Sequence, residues 1–518
     1  MQEFYKIKNK NIFRIFLFLL LTYLVSILML FVFNPNLQIH EKIFIFAIYF
    51  GLFAVFLKNK NIGFYALAVV IPFNLFVGMI FPFVSKFNLF PLDLIITILL
   101  IVWTIEILTK DTYRFKRTKI DLLLTLLLFI SIVSLIPYVI DIINELGKGS
   151  VQLTLYLIFK KASSSNILFS ANMLFRSIGF ILFYFYIINN VDLAKIKRFF
   201  LILLSSFSVI AVMSIVAFAI SFSQPVKIGL DEGEPHSKIL VDSEYFNQRS
   251  SFPFPHPNTL AGFSLLSIPL VFVLFAFSRK WKMSLLWLLI LVIFLVGFSF
   301  TQTRGAVLGL DISIFIVFLL FLWKLGQKNV IRKTAFVLVM LVILSILVLN
   351  LRGFVDLYGS EEYSLEDKYR ETFRLTERHE GRGNTIWPIS LNMIKNNFLL
   401  GVGLGTYTKQ YGNYLPSTRE ITHTNEIHAH NFYLHSFAEL GVIGFMSYVI
   451  IFYIILKTSL LYIAKRKELR DWDYYIVFSI FIGITALLIH SFFDNLLFWR
   501  EIAALFWIQV GFLFVIKK

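Results

Sequence analysis

At 518 residues, with 58% hydrophobic and 15% charged side chains and a mean hydropathy of +0.78, the chain is too apolar for a soluble globular protein and takes lipid as its solvent. A formal charge of +17 would point to nucleic acid in a soluble protein, but in a membrane protein basic residues mark the cytoplasmic side, so no nucleic-acid partner is expected. The absence of cysteine excludes disulfides, thiolate metal centres and cysteine nucleophiles.

Apolar stretches recur at the length of roughly 17 to 25 residues that carries a helix across a bilayer with its backbone hydrogen bonds satisfied. The expected fold is therefore all-α and polytopic, with about fourteen transmembrane helices. In chain order they fall at 12–33, 43–57, 62–80, 91–109, 121–140, 167–189, 199–223, 257–278, 283–300, 304–323, 334–351, 431–456, 474–490 and 495–516. The first is read as a retained helix, because it is too long for a signal peptide and lacks a small-residue cleavage site.

Lys6, Lys8, Lys10 and Arg14 set the N-terminus on the cytoplasmic side, which requires alternate connections to be basic. They are: Lys58 and Lys60, the cluster Lys110 to Lys119, Lys195 to Arg198, Arg279 to Lys282, Lys324 to Lys333 and Lys465 to Arg470 all fall on that side, as do Lys517 and Lys518. Both termini are expected in the cytoplasm of a multi-pass protein of a bacterial inner membrane. Outside connections differ in kind. Residues 224–256 are acidic, and 352–430 form one long extracytoplasmic loop between helices 1 to 11, within 1–351, and helices 12 to 14, within 431–518. In that loop Glu361 to Glu380 reads as a charged helix and Asn384 to Asn396 as an amphipathic one ending near Gly401.

Unusual polar residues collect at the outer helix ends: Arg249, His256 and Asn258, then Arg304, then His428, His430 and Asn431, with His490 and Asp494 at the last outer turn. A lone arginine at a helix end often only snorkels to headgroups. The run Gly401-Val-Gly-Leu-Gly405 follows a helix and lacks dinucleotide-loop spacing, so it reads as a flexible turn. His428 and His430 with His423 and Glu426 complete no ligand spacing, and residues two apart point to opposite sides of a helix, so no metal is expected. Arg370, Arg374 and Arg378 interleave with glutamates as a solvated face, and Arg176 and Asp311 read equally well as structural charges or as site residues.

At His430-Asn431, nine residues and then Gly441-Val-Ile-Gly444, the sequence resembles the signature of the O-antigen ligase superfamily. Ser251 to Asn258, Thr301 to Gly305, Arg382 to Trp387 leading to Gly401 to Gly405, and Asp494 before a Phe- and Trp-rich last helix follow in that family's order, so the resemblance spans roughly 245–516. It implies a glycosyltransferase of the GT-C class, working without metal or cofactor in polysaccharide or lipopolysaccharide biosynthesis at the cell envelope. The donor implied is a glycan on undecaprenyl pyrophosphate, and the acceptor a hydroxyl of lipid A core or another glycan or lipid-linked surface molecule.

Arg304 and Arg382 are then assigned to the pyrophosphate, since guanidinium stays charged and binds phosphate oxygens in pairs. His430 is assigned to the acceptor proton. His428, Asn431, His256 and Asn258 are candidate substrate contacts. A repeat-unit polymerase with the same donor is the alternative. A lipid-linked oligosaccharide flippase is weaker, because no repeated halves are visible.

Overall fold

The computed structural model describes residues 39–80, 91–109, 115–136, 167–223, 249–325, 328–359, 382–415, 428–465 and 472–517, and every regular element among them is helical. We label the α-helices α1 Ile39–Lys58, α2 Lys60–Ile80, α3 Pro91–Thr109, α4 Asp121–Val133, α5 Ile167–Asn190, α6 Leu193–Ser223, α7 Pro257–Phe277 and α8 Trp281–Ser299. They continue as α9 Arg304–Leu320, α10 Lys328–Gly359, α11 Trp387–Asn396, α12 Tyr407–Tyr411, α13 Phe432–Lys465, α14 Trp472–His490 and α15 Arg500–Ile516.

Nine spans among the described residues are long and apolar enough to cross a membrane, and they lie in α3, α5 to α10, α13 and α14. The segments expected at 43–57, 62–80, 121–140 and 495–516 correspond to α1, α2, α4 and α15, which are not among those nine. The segment expected at 12–33 lies outside the described residues, as does the charged helix expected at Glu361 to Glu380. Several boundaries differ from expectation, the expected 334–351 segment for instance running Lys328–Gly359, and two differ for evident local reasons. The last helix begins at Arg500 because Asp494 accepts the Asn495 N–H and a 3₁₀ turn, Leu496–Phe498, intervenes. The segment expected at 431–456 runs on to Lys465 and is kinked at Gly441, whose φ is +63°.

Lipid gives helices no hydrophobic reason to associate, so packing and interhelical hydrogen bonds must hold the bundle. All 21 residues of α7 are buried, and it packs against α8, α14 and α15. Gly309 brings α9 so close to α14 that a Cβ would stand 2.5 Å from the Ala486 carbonyl oxygen. Gln509 of α15 donates to Leu266 O of α7 at 2.8 Å. Phe64, Phe199 and Phe512 join α2, α6 and α15 through ring contacts of 5.2 to 6.2 Å. The last helix is thereby shared between the N-terminal helices and those that carry the polar residues.

Outside the spans, α11 buries Ile389, Met393 and Ile394 with Val402, Tyr407, Tyr411 and Ala438 in a separate small core. A wide π-helical turn, Arg382–Ile386, leads into it.

Candidate active site

All seven residues singled out in the sequence gather at one end of the bundle, around the 490–499 turn. His256 caps α7, its Nδ1 accepting the Asn258 N–H at 3.1 Å. The Asn258 amide is a hub: its oxygen accepts from Arg249 Nη2 at 3.1 Å and Thr303 Oγ1 at 3.2 Å, and its Nδ2 donates to Asp494 Oδ2 at 2.5 Å. That amide is thus engaged with the protein at both ends. Arg249 Nε also donates to Thr301 O at 2.9 Å, which ties the connection between α8 and α9 to the start of α7.

Arg304 opens α9. Its neighbour Gly305 lies against the turn, where a Cβ would stand 2.7 Å from His490 Nδ1 and 3.0 Å from Phe493. Arg382 reaches the same turn from the other side, donating through Nη1 to Phe493 O at 2.9 Å. Both arginines assigned to pyrophosphate therefore border residues 490–494.

The opposite-sides reading of His428 and His430 does not hold, because the two residues precede α13 rather than lying on a helix. His430 has φ +48°, and its backbone N–H donates to His428 Nδ1 at 3.2 Å, so the two rings meet with centroids 4.3 Å apart. Between them Ala429 is held on both sides, its carbonyl accepting from Trp387 Nε1 at 3.2 Å and its N–H reaching His435 Nδ1 at 3.5 Å. Asn431 accepts the Tyr433 and Leu434 N–H groups at 2.9 and 3.0 Å, which makes it the N-cap of α13.

His430 Nδ1 lies 3.5 Å from Asp494 Oδ1, and 25% of the His430 side chain is exposed against 3% for Asp494. The open imidazole is oriented from behind by a closed carboxylate. Burial opposes ionisation of Asp494, but His430, His428 and His490 outweigh it and hold the carboxyl well below the usual carboxylate range. Burial lowers His256 to about 4, with Asp494 opposing the change and Arg249, His430 and Arg382 adding to it. His428 is pushed well below the ordinary histidine value by burial first and His430 second. Both rings are therefore neutral near neutrality. His428, His430 and Asp494 bring ligand atoms within 4.8 Å of one another, a two-imidazole, one-carboxylate set that could hold a divalent ion, although His428 Nδ1 already serves as an acceptor for a backbone amide.

The Gly401 to Gly405 turn, expected to be flexible, is stitched in place. Its three glycines have φ of +73°, +108° and +70°, Val402 N donates to Ala438 O at 2.8 Å and Gly403 N to Glu439 O at 3.0 Å. Glu439 in turn accepts the Tyr407 N–H at 3.1 Å and stands 3.4 Å from His435 Nε2. Gly441 packs onto the same segment so closely that a Cβ would lie 2.2 Å from Leu399 O. The signature spacing thus measures the short helical piece Phe432 to Leu440, from the histidine turn to the kink. Asp494 was visible in the sequence as an interfacial carboxylate and as part of the resemblance, but was given no role in the site. His435 and Glu439 carried no signal, and Trp387 entered only as the end of the Arg382 to Trp387 stretch, because their roles lie in contacts with backbone that spacing does not show.

Helices and site together define a polytopic membrane protein with a cationic, histidine-bearing centre at one end of its bundle. Residues 289–449 match the family model described as O-Antigen ligase, which supports an O-antigen ligase-related family. Arg304, Arg382, His428, His430 and Asn431 lie inside the matched segment, whereas His256, Asn258 and Asp494 lie outside it. No curated protein matches the chain.

Proposed function

We propose that the protein is a metal-independent GT-C-type glycosyltransferase of the bacterial inner membrane, acting on the extracytoplasmic face, with both termini in the cytoplasm. It transfers a glycan from undecaprenyl pyrophosphate to an acceptor hydroxyl of lipid A core or another surface molecule. The observation that carries this reading is His430, a quarter exposed with Nδ1 toward buried Asp494 at 3.5 Å, while Arg382 donates to the neighbouring Phe493 carbonyl.

With Nδ1 turned to Asp494, Nε2 of His430 accepts the proton of the acceptor hydroxyl. The acceptor oxygen bonds to the anomeric carbon as the bond from that carbon to the pyrophosphate oxygen breaks. The electron pair leaves on undecaprenyl pyrophosphate, whose added charge Arg304 and Arg382 stabilise. Asn258 and Asn431 serve by holding Asp494 and the histidine turn, and His256 and His428 face the substrate as neutral rings. Transfer is expected to persist in chelator.

A repeat-unit polymerase would use the same donor chemistry. The test is deletion of the gene, with wild-type and His430→Ala copies returned separately, followed by analysis of surface polysaccharide and undecaprenyl-linked glycans. Long polymer accumulating on undecaprenyl pyrophosphate identifies a ligase, and single repeat units still transferred identify a polymerase. Lipid-linked units trapped inside, with export restored by His430→Ala, would replace transfer by transport.

A further inference from the structure

The hydrogen bond that builds the histidine turn also fixes the proton of His428. Because Nδ1 accepts the His430 N–H at 3.2 Å, the neutral ring carries its hydrogen on Nε2 and can only donate there. A neutral donor is poorly suited to abstracting a proton and, beside Arg304 and Arg382, adds little to binding pyrophosphate.

The surroundings of the ring suit a different ligand. His428 packs on Phe498 with centroids 5.2 Å apart, Phe498 meets Trp499 edge-on at 5.8 Å, and Trp499 lies parallel to His256 at 6.5 Å. Phe498 and Trp499 are half-buried, and the turn is pinned from behind by Arg176, whose Nη2 donates to Phe498 O at 2.7 Å. A pyranose presents an apolar face of C–H groups and an uncharged rim of hydroxyls. Aromatic rings complement the first and a neutral N–H the second.

We infer that His428, Phe498 and Trp499 form the subsite for the sugar being transferred, with one ring of the edge-on pair against its apolar face, the other walling its edge, and His428 Nε2–H donating to a ring hydroxyl. This rests on the reading that the site takes a lipid-linked glycan.

The test uses purified full-length protein, its lipid-linked glycan as donor, and sugar-free undecaprenyl pyrophosphate as competing inhibitor. Trp499→Leu is expected to raise the donor KM about tenfold, the effect of one lost contact of roughly 1.4 kcal/mol, and His428→Phe to do the same while also lowering kcat, because it removes the Nδ1 acceptor of the His430 N–H. Inhibition by the sugar-free lipid should stay as in wild type, and His428→Gln, which keeps an N–H at the ε position, should recover most of the loss with an unchanged pH profile. Arg382→Ala, by contrast, should weaken the sugar-free inhibitor; if it does not, the transfer reading itself fails. Equal weakening of donor and sugar-free lipid by His428→Phe would place His428 on the pyrophosphate instead. A shifted acid limb in His428→Gln, or an unchanged KM in both His428→Phe and Trp499→Leu, would also overturn the proposal.

Discussion

Two polar clusters adjoin at the start of the last helix, and they solve the cost of burying charge in opposite ways. Behind the 496–499 turn, Arg500 pairs with Asp93 at 3.0 Å, Asn74 donates to Glu501 at 2.6 Å and accepts from Leu92 N, and Arg176 holds Phe498 O. Two arginines face two carboxylates there, and Arg500 and Asp93 are closed from solvent. In front of the turn, Arg249 reaches Asp494 through the Asn258 amide, Arg382 binds the Phe493 carbonyl, His430 is partly open, and His430 and Gln302 are the non-glycine residues with positive φ among the described residues. Balance and closure mark a structural cluster. Partial exposure and backbone strain mark the other.

Four substitutions break or sharpen that contrast. His430→Ala should reduce transfer by about 10²- to 10⁴-fold while leaving thermal unfolding in detergent unchanged; a retained rate would remove the catalytic half of the comparison. Arg500→Ala should do the reverse, stranding Asp93 and lowering stability by about 3–5 kcal/mol, with the paired Asp93→Asn, Arg500→Gln variant regaining much of the unfolding temperature. Gly441→Ala sits between the two, since its strain of about 1–3 kcal/mol and its contact with Leu399 O act on fold and histidine turn together. Size-exclusion profiles and transfer rates of that variant should fall in parallel.

The smallest effect concerns pH. Because His256 is lowered to about 4 in the folded protein, the unfolded chain binds more protons between the ordinary histidine value and that point. The stability contributed by the neutral ring is complete above about 6.5 and is lost as pH falls toward 4. His256→Gln should flatten this part of the unfolding curve. An unaltered slope would show that His256 is not closed in as the geometry has it.

Spans such as Pro91–Thr109 and Trp472–His490 were legible because hydropathy is a local property. So was the gathering of polar residues at one end, which follows from alternating helix directions once the ends are known. The approach of His428 to His430 was not legible, since a helical reading sends them apart and only the positive φ of His430 reverses it. The rigidity of the Gly401 to Gly405 turn was equally hidden, because it depends on hydrogen bonds to Ala438 and Glu439 rather than on glycine content. Asn258 and Asp494, 236 positions apart, meet only through tertiary packing.

The place of residues 490–499 in the chain has a consequence for biosynthesis. The turn that supplies Asp494, the Phe493 carbonyl for Arg382 and the Phe498–Trp499 rings leaves the ribosome after every other part of the site. A nascent chain that has inserted α13 already carries His430, yet the carboxylate that orients it has not been made. Assembly of the centre is thereby deferred until α14 and the turn that follows it have been threaded, so a stalled or truncated insertion intermediate would present His430 without its buried carboxylate.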